Sequence, residues 1–280
     1  MLIDIFNRQI NYLRISVTDR CDLRCKYCML ENMEFLPKSE VLSLEQIERL
    51  CDIFIEQGIK KIRLTGGEPL VRKNIMHLIN RIGRKIDNTR LKELTLTTNG
   101  TLLSKYAKEL KKSGINRINV SLDTLNPMKY ESITRRGDIT KVLKGIEESL
   151  KNKIQIKINC VALKNFNEDE LENMVIWCGK KGLDLTFIEV MPMGETSEGR
   201  YNQYFPLKNV REELRKRFSL KPSSFQTGGP ARYDYNEKYN TKVGYITPLT
   251  QNFCDNCNRI RITCTGKLFM CLGQEKYVDF

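Results

Sequence analysis

Six of the ten cysteines fall into two groups whose spacing suits metal chemistry. Cys21, Cys25 and Cys28 form C-x3-C-x2-C, and Cys254, Cys257 and Cys271 form C-x2-C-x13-C near the other end of the chain. Clustered thiolates favour zinc or iron–sulfur. A structural zinc site normally closes four ligands, whereas each group holds three, and His77, the one histidine, cannot complete both. Three cysteines around a four-iron cluster leave one iron open to another ligand. The four-cysteine spacing of ferredoxins is absent, which argues against pure electron transfer. Of the other thiols, Cys51 and Cys178 continue apolar helical stripes and Cys160 lies in the strand-like IKINCVAL, as core residues do. Cys264 falls between Cys257 and Cys271 and competes as a ligand.

Composition narrows the classes further. A single histidine rules out a zinc finger built on two cysteines and two histidines, and equally a zinc centre held by three histidines; a Ser-His-Asp triad would have to use that residue. Lys plus Arg is 47 against 34 Asp plus Glu, a net charge of +13 that first suggests a nucleic-acid partner. The basic residues are interleaved with other types, as in KKIR and REELRKR, with no long basic block or aromatic ladder. No apolar run approaches 18 residues and the start lacks a signal-peptide layout, so the expectation is a cytoplasmic protein with no membrane span. Cysteines in that setting are ligands, reactive thiols or core residues rather than a disulfide framework.

The elements that must position these groups alternate. Strand patterns cover 12–17, 62–65, 94–97, 117–122, 155–161 and 185–190, and helical patterns lie near 43–57, 72–86, 102–113, 138–151 and 168–181. Ser43 with Gln46 makes a capping box and Asn167 with Glu170 resembles one, while Gly58, Gly114 and Gly182 follow helical runs as C-caps. Repeated strand–helix units imply parallel strands with right-handed crossovers. Six of them predict an α/β fold, an incomplete (β/α)6 TIM-like barrel, with a doubly wound open sheet as the rival. After residue 190 the texture changes to Gly/Pro/Ser-rich loops, one helix at 206–217 and short strands near 242–247, 259–264 and 267–271. Residues 1–190 therefore read as the barrel core and 191–280 as a smaller C-terminal iron–sulfur extension.

In parallel β/α folds, functional groups collect beyond the C-terminal ends of the strands. The first cysteine group follows the first strand, Gly66-Gly67-Glu68-Pro69 the second, and Thr97-Thr98-Asn99-Gly100 the third. Ser121-Leu122-Asp123 ends the fourth. Adjacent glycines bring backbone groups close to a ligand, and the four polar loops together suggest a polar ligand across the barrel mouth.

C-x3-C-x2-C with GGEP on a β/α core resembles the radical S-adenosylmethionine superfamily. YLRISVTDRCDLRCKYCM, IRLTGGEPLVR, LTTNG, INVSLD, FIEVMPMG and FCDNCNRIRIT resemble, in order, its GTP 3′,8-cyclase family of molybdenum-cofactor biosynthesis, from about residue 3 to 280. The resemblance implies two [4Fe–4S] clusters, one on Cys21, Cys25 and Cys28 and one on Cys254, Cys257 and Cys271. Tyr27, Gly67, Ser121 and Met191 would contact S-adenosylmethionine. Arg14, Arg63, Thr97, Lys157, Arg259, Ile260 and Arg261 would bind GTP, with Arg14 also catalytic. A 5′-deoxyadenosyl radical would take hydrogen from ribose C3′, and that carbon would bond to C8 of the base. Radical abstraction needs no histidine base, and a triphosphate wants fixed guanidiniums. Arg14 sits in an otherwise apolar strand, and Arg259 and Arg261 alternate onto one face.

The resemblance further implies an external electron donor and a downstream enzyme that forms cyclic pyranopterin. Dimers are common in the family, although no interface is legible. Three departures stand out. Thr186 occupies a position where relatives carry Arg, Cys264 replaces a small residue, and Phe280 stands nine residues past Cys271 without the Gly-Gly tail that reaches the active site in relatives. The absence of that tail from the sequence sets the activity the resemblance implies against this departure. The competing readings are another radical enzyme with an auxiliary cluster, which would carry more cysteines and need no N-R-x-R, and a metal-stabilised nucleic-acid binder.

Overall fold

The computed structural model describes residues 2–4, 7–191, 202–227, 229–249, 257–271 and 276–280. A small antiparallel ribbon, β1 (Leu2–Ile3) with β2 (Gln9–Ile10), opens the chain. Six parallel strands follow: β3 (Tyr12–Ser16), β4 (Lys61–Thr65), β5 (Glu93–Thr98), β6 (Arg117–Ser121), β7 (Gln155–Ala162) and β8 (Asp184–Glu189). Each pairs with the next in sequence order. A doubly wound sheet reverses its order at a switch point; this one does not, so the barrel alternative holds. The intervening helices are α1 (Leu44–Glu56), α2 (Ile75–Gly83), α3 (Leu103–Lys112), α4 (Pro127–Thr134), α5 (Ile139–Lys151) and α6 (Leu171–Lys180).

After these come α7 (Leu207–Phe218), β9 (Lys221–Ser223), β10 (Arg232–Asn236), β11 (Thr241–Ile246), β12 (Arg259–Ile262) and β13 (Leu268–Phe269). Strand β11 adds in parallel to β8, and β12 adds in parallel to β3. The sheet thus reads β13-β12-β3-β4-β5-β6-β7-β8-β11-β10-β9, eleven strands with two unpaired ends among the described residues. It is curled, because Lys61 on β4 donates to the Thr227 carbonyl beyond β9 at 2.9 Å. The barrel is open, and its two added flanks come from the C-terminal third of the chain.

Parallel strands buried on both faces usually run almost continuously apolar. Here they alternate. Leu13, Ile15, Ile62, Leu64, Leu94, Leu96, Ile118 and Val120 are buried in the main core with the helices. Tyr12, Arg14, Arg63, Thr97, Asn119 and Lys157 face the other way and line a cavity inside the curl. The polar inner face is reserved for something other than packing.

Most local expectations hold. Ser43 and Gln46 make the reciprocal capping box of α1, and Gly58, Gly114 and Gly182 follow helices with φ of 106°, 82° and 67°. Cys51, Cys160 and Cys178 are buried core thiols. Helix α2 is shorter than the 72–86 pattern, because Pro69 opens a separate 3-10 turn and Asn74 is left-handed. Asn167 precedes a short 3-10 turn but its side chain makes no capping hydrogen bond. Its buried side-chain amide donates to the Asp123 and Val161 carbonyls, and its oxygen accepts from Leu163 N–H. Helix α4 lies in a stretch to which the pattern assigns no element, and strands β9 and β10 fall largely where it reads as loop. For α4 a signal is nonetheless present: Asn126 accepts from Met128 and Lys129 N–H, with Pro127 at the first helical position.

Candidate active site

The loop carrying Cys21, Cys25 and Cys28 leaves the C-terminal end of β3 and is tied down on four sides. On the first, Gly67 and Glu68 N–H donate to the Thr18 and Arg20 carbonyls at 2.8 Å each. A Cβ at Gly66 would collide with Thr18 O, and one at Gly67 with Arg20 O. These glycines make room for the cysteine loop itself, a reason for GG that spacing alone does not reveal. On the second side, Asp22 accepts from Asn99 Nδ2 and from the Thr101 hydroxyl at 2.7 Å each. On the third, Arg24 and Lys26 N–H donate to the Thr134 and Ile133 carbonyls at the end of α4. On the fourth, Tyr27 Oη donates to Asp123 Oδ2 at 2.6 Å.

Two buried carboxyls brace this arrangement. Glu68 accepts from Leu70 N–H, Asn99 N–H and the Thr98 hydroxyl, and burial nonetheless raises it to about 7. Burial raises Asp123 to about 6 against the pull of Tyr27 and Val161 N–H. Burial also pushes the Cys21 thiol up to about 12 and the Cys25 thiol well above its ordinary value, with Cys28 and Cys21 among the charges acting on Cys25. Leu23 N–H points at Cys21 Sγ from 3.4 Å. Among the described residues no three His, Cys, Asp or Glu side chains converge on a single ion. Three thiols spread around one loop suit an iron–sulfur cluster, whose ligands sit at separate corners.

Below this loop lies a cavity of about 270 Å³, lined by Tyr12, Arg14, Arg63, Thr97, Asn119, Ser121, Lys157, Asn159 and Arg259, with Thr227 and residues 229–231 closing one side. Four cations line it, and none of the described lining residues is a carboxylate. The buried Nε atoms of Arg14 and Arg63 and Oδ1 of Asn119 have no hydrogen-bond partner among the described residues. Burial, then Arg261, lowers Arg14 to about 9. Burial, then the Arg63 and Arg117 cations, lowers Lys157 to about 7, and its Nζ donates only to the neutral Tyr233 Oη among the described residues, at 3.0 Å. Burial alone would raise the Tyr12 phenol, but Arg63, Arg14, Lys61 and Arg259 outweigh it and lower it. So dense a set of buried cations calls for an anion.

The remaining candidates sort by barrel end. Gly67, Tyr27 and Met191 lie beyond the C-terminal ends of β4, β3 and β8, and Ser121 ends β6 and lines the cavity. Cys257 precedes β12 at the opposite end, where the Asn258 carbonyl accepts from Asn11 and Tyr12 N–H. Cys271 returns to that end after β13, which is antiparallel to β12. Arg261 pairs in register with Arg14 and feels both Cys257 and Cys271. Cys254 lies outside the described residues. Cys264 sits in the β12–β13 turn, where its carbonyl accepts from Leu42 N–H, a full strand length from Cys257. Ile260 faces away from the cavity into the apolar core, so its side chain does not reach the cavity. Thr186 is fully buried with its hydroxyl unpaired among the described residues. Sequence reasoning missed Tyr12, Asn119, Asn159 and Tyr233; strand alternation from Arg14 and Lys157 would have placed the first and third on the inner face.

An open parallel barrel with a three-cysteine loop beyond its first strand has known counterparts. Residues 15–178 match the radical SAM superfamily, which sets the class. Residues 183–280 match the Molybdenum Cofactor Synthesis C family. Among solved structures, Streptococcus suis SuiB bound to S-adenosylmethionine shares the fold with a TM-score of 0.69 at 17% identity, over 97% of this chain and 63% of that one. The GTP 3′,8-cyclase of Mesorhizobium japonicum is 55% identical over 99% of this chain and 84% of its own length. That of Rhizobium etli is 56% identical over 99% and 80%. The chain belongs to the GTP 3′,8-cyclase family of the radical S-adenosylmethionine superfamily.

Proposed function

We propose that this chain converts GTP to 3′,8-cyclo-7,8-dihydro-GTP, the first step of molybdenum-cofactor biosynthesis, with the nucleotide held inside the barrel. The observation that carries this reading is the cavity inside the barrel, lined among the described residues by four cations and no carboxylate, with the buried Nε atoms of Arg14 and Arg63 unpaired there. Cys21, Cys25 and Cys28 would hold a four-iron cluster that, with S-adenosylmethionine and one electron from an external donor, would supply radical hydrogen abstraction. Tyr27, Gly67, Ser121 and Met191 hold S-adenosylmethionine at the C-terminal end of the strands.

Arg14, Arg63, Lys157, Arg259 and Arg261 hold the triphosphate, Thr97 supports Arg63 by accepting from its guanidinium at 3.2 Å, and Ile260 contributes through its backbone. Arg14 stands midway along β3 between the two cysteine groups, which makes it the catalytic candidate. Thr227, residues 229–231 and the curl of the sheet exclude water from the ribose, as a carbon radical requires. Cys254, Cys257 and Cys271 would hold a second cluster, which would supply a site for the guanine. In this reading residues 1–190 generate the radical and supply most of the nucleotide site, and 191–280 close one side of it with Thr227, residues 229–231 and Arg259. An external donor delivers the electron, a separate enzyme takes the product on to cyclic pyranopterin, the protein works in the cytoplasm, and two copies associate. Among the described residues no helix is long and apolar enough to cross a membrane.

Anaerobic reconstitution followed by iron and sulfide analysis tests this. The expected result is about eight irons per chain, the content of two four-iron clusters, with 5′-deoxyadenosine formed in a GTP-dependent way. About four irons, unchanged by Cys254→Ala, would refute the second cluster.

A further inference from the structure

We infer that Arg135 is a positioning residue for the cluster on Cys21, Cys25 and Cys28, fixing the shape of the cysteine loop and keeping a positive charge beside it. The inference rests on the family's assignment of that cluster and is independent of how GTP is bound. Helix α4 ends at Thr134, and Arg135 follows in the left-handed region at φ 61°. That conformation is costly for a residue with a Cβ and persists where surroundings demand it. Here the demand is visible. The turn points the carbonyls of Ile133 and Thr134, left open by the helix end, at the cysteine loop, where they accept from Lys26 N–H at 2.9 Å and Arg24 N–H at 3.0 Å.

The Arg135 side chain returns to the same loop. Its Nη1 donates to the Arg24 carbonyl at 2.9 Å and reaches the Met29 carbonyl at 3.4 Å. Arg24 precedes Cys25 and Met29 follows Cys28, so one guanidinium clasps both flanks of the C-x2-C segment. Glu31 steadies its Nε from 3.6 Å. The turn has little room to relax, because a Cβ at Gly137 would strike Thr134 Oγ1 and the Tyr130 ring. Gly137 N–H also donates to Thr134 Oγ1 at 3.0 Å. Neither the cysteine spacing nor the nucleotide cavity calls for an arginine here.

The chemistry follows from charge. A cluster with three thiolate ligands is anionic and gains a further negative charge on reduction. A cation fixed on the loop's carbonyls favours the reduced form, since net charge and hydrogen bonding set iron–sulfur potentials. Residues that orient metal ligands typically carry effects of about 10–100-fold.

The test uses the reconstituted full chain with Arg135→Gln and Arg135→Lys, reading cluster potential by EPR-monitored titration, S-adenosylmethionine cleavage, GTP affinity, and hydrogen exchange over 21–29. Arg135→Gln should shift the potential negative and slow cleavage by about tenfold, with GTP affinity unchanged. Arg135→Lys keeps the charge but not the guanidinium that meets both carbonyls and Glu31 at once, so it should recover most of the potential while the loop exchanges faster. A wild-type potential and cleavage rate in Arg135→Gln would overturn the inference. If Arg135→Gln loses its iron, Arg135→Lys decides: faster loop exchange with slower cleavage supports the inference, and wild-type behaviour in both rejects it. A wild-type chain lacking the first cluster would instead overturn the family's ligand assignment.

Discussion

The cysteine loop and the barrel cavity lie next to each other and are held in opposite ways. Around the loop, partners are abundant: backbone N–H groups, Asp22, Tyr27 and Arg135 all find hydrogen bonds, and glycines let two backbones touch. In the cavity, the Nε atoms of Arg14 and Arg63 are buried without partners among the described residues, and the Lys157 ammonium has only a phenol there. The loop's polar groups are largely satisfied by the protein itself, whereas in the proposed reading those of the cavity are satisfied by the nucleotide. Preorganisation of the first kind lowers the cost of catalysis. The second kind holds the free protein in a less stable state that ligand binding relieves.

The strongest way to break this comparison is at the loop. Cys25→Ala should abolish 5′-deoxyadenosine formation and lower the iron content from about eight to about four per chain, because the second cysteine group is at the other end of the barrel. Retention of cleavage would show that the loop is not where the radical originates.

Next in size are two substitutions that should move stability in opposite directions. Gly67→Ala drives a methyl into the Arg20 carbonyl, and backbone cannot yield as a flexible side chain would; about 3 kcal/mol of stability should be lost. Arg63→Met removes a buried cation that no carboxylate contacts in the cavity among the described residues. Relief of that charge should raise the stability of the free protein by about 1 kcal/mol, or roughly 2 °C, while weakening GTP binding by about 10–100-fold, the scale of a charge-assisted contact. Thermal melts with and without GTP check both. Should Arg63→Met destabilise the free protein, the cavity is not waiting for an anion.

A subtler effect concerns pH. Burial and neighbouring cations lower Lys157 to about 7, so in the free protein it is largely charged below that pH and largely neutral above it. A bound triphosphate restores the charge and raises the value. Binding above pH 7 therefore takes up a proton, and affinity should fall as pH rises, by up to about tenfold per unit. Titration calorimetry at pH 6.5, 7.5 and 8.5 should show this slope, and Lys157→Met should flatten it.

Legibility in the sequence divides along the same line. The ligand spacing, GGEP and the alternating arginines of NRIRIT are short-range patterns, and they lead directly to the loop, the barrel and the basic wall. What escaped depends on contacts distant in sequence. The Asn167 amide serves the Asp123 carbonyl 44 residues away, so a capping-box spacing misled. Tyr233 meets Lys157 across 76 residues from a stretch whose Gly, Pro and Ser read as loop. Ile260 entered the candidate set by resemblance, yet strand alternation between Arg259 and Arg261 already sends its side chain to the core.

Cys264 is the case in which spacing had no power to decide, and it carries the smallest expected effect. Counting residues places it between two ligand candidates, but counting does not say at which end of a strand a residue emerges. The chain runs from Cys257 through the four residues of β12, turns at 263–267, and comes back through β13 to Cys271. Cys257 and Cys271 therefore share one end and Cys264 the other, separated by roughly 20 Å at about 3.3 Å per residue. That distance is too great for a common cluster. Burial raises the Cys264 thiol, as for a packed side chain. Cys264→Ala should leave the iron count at about eight and both cluster EPR signals unchanged, at a cost of about 1 kcal/mol for the small cavity it creates. Loss of four irons from that variant would instead make the hairpin turn part of the second site and undo the assignment of the two barrel ends.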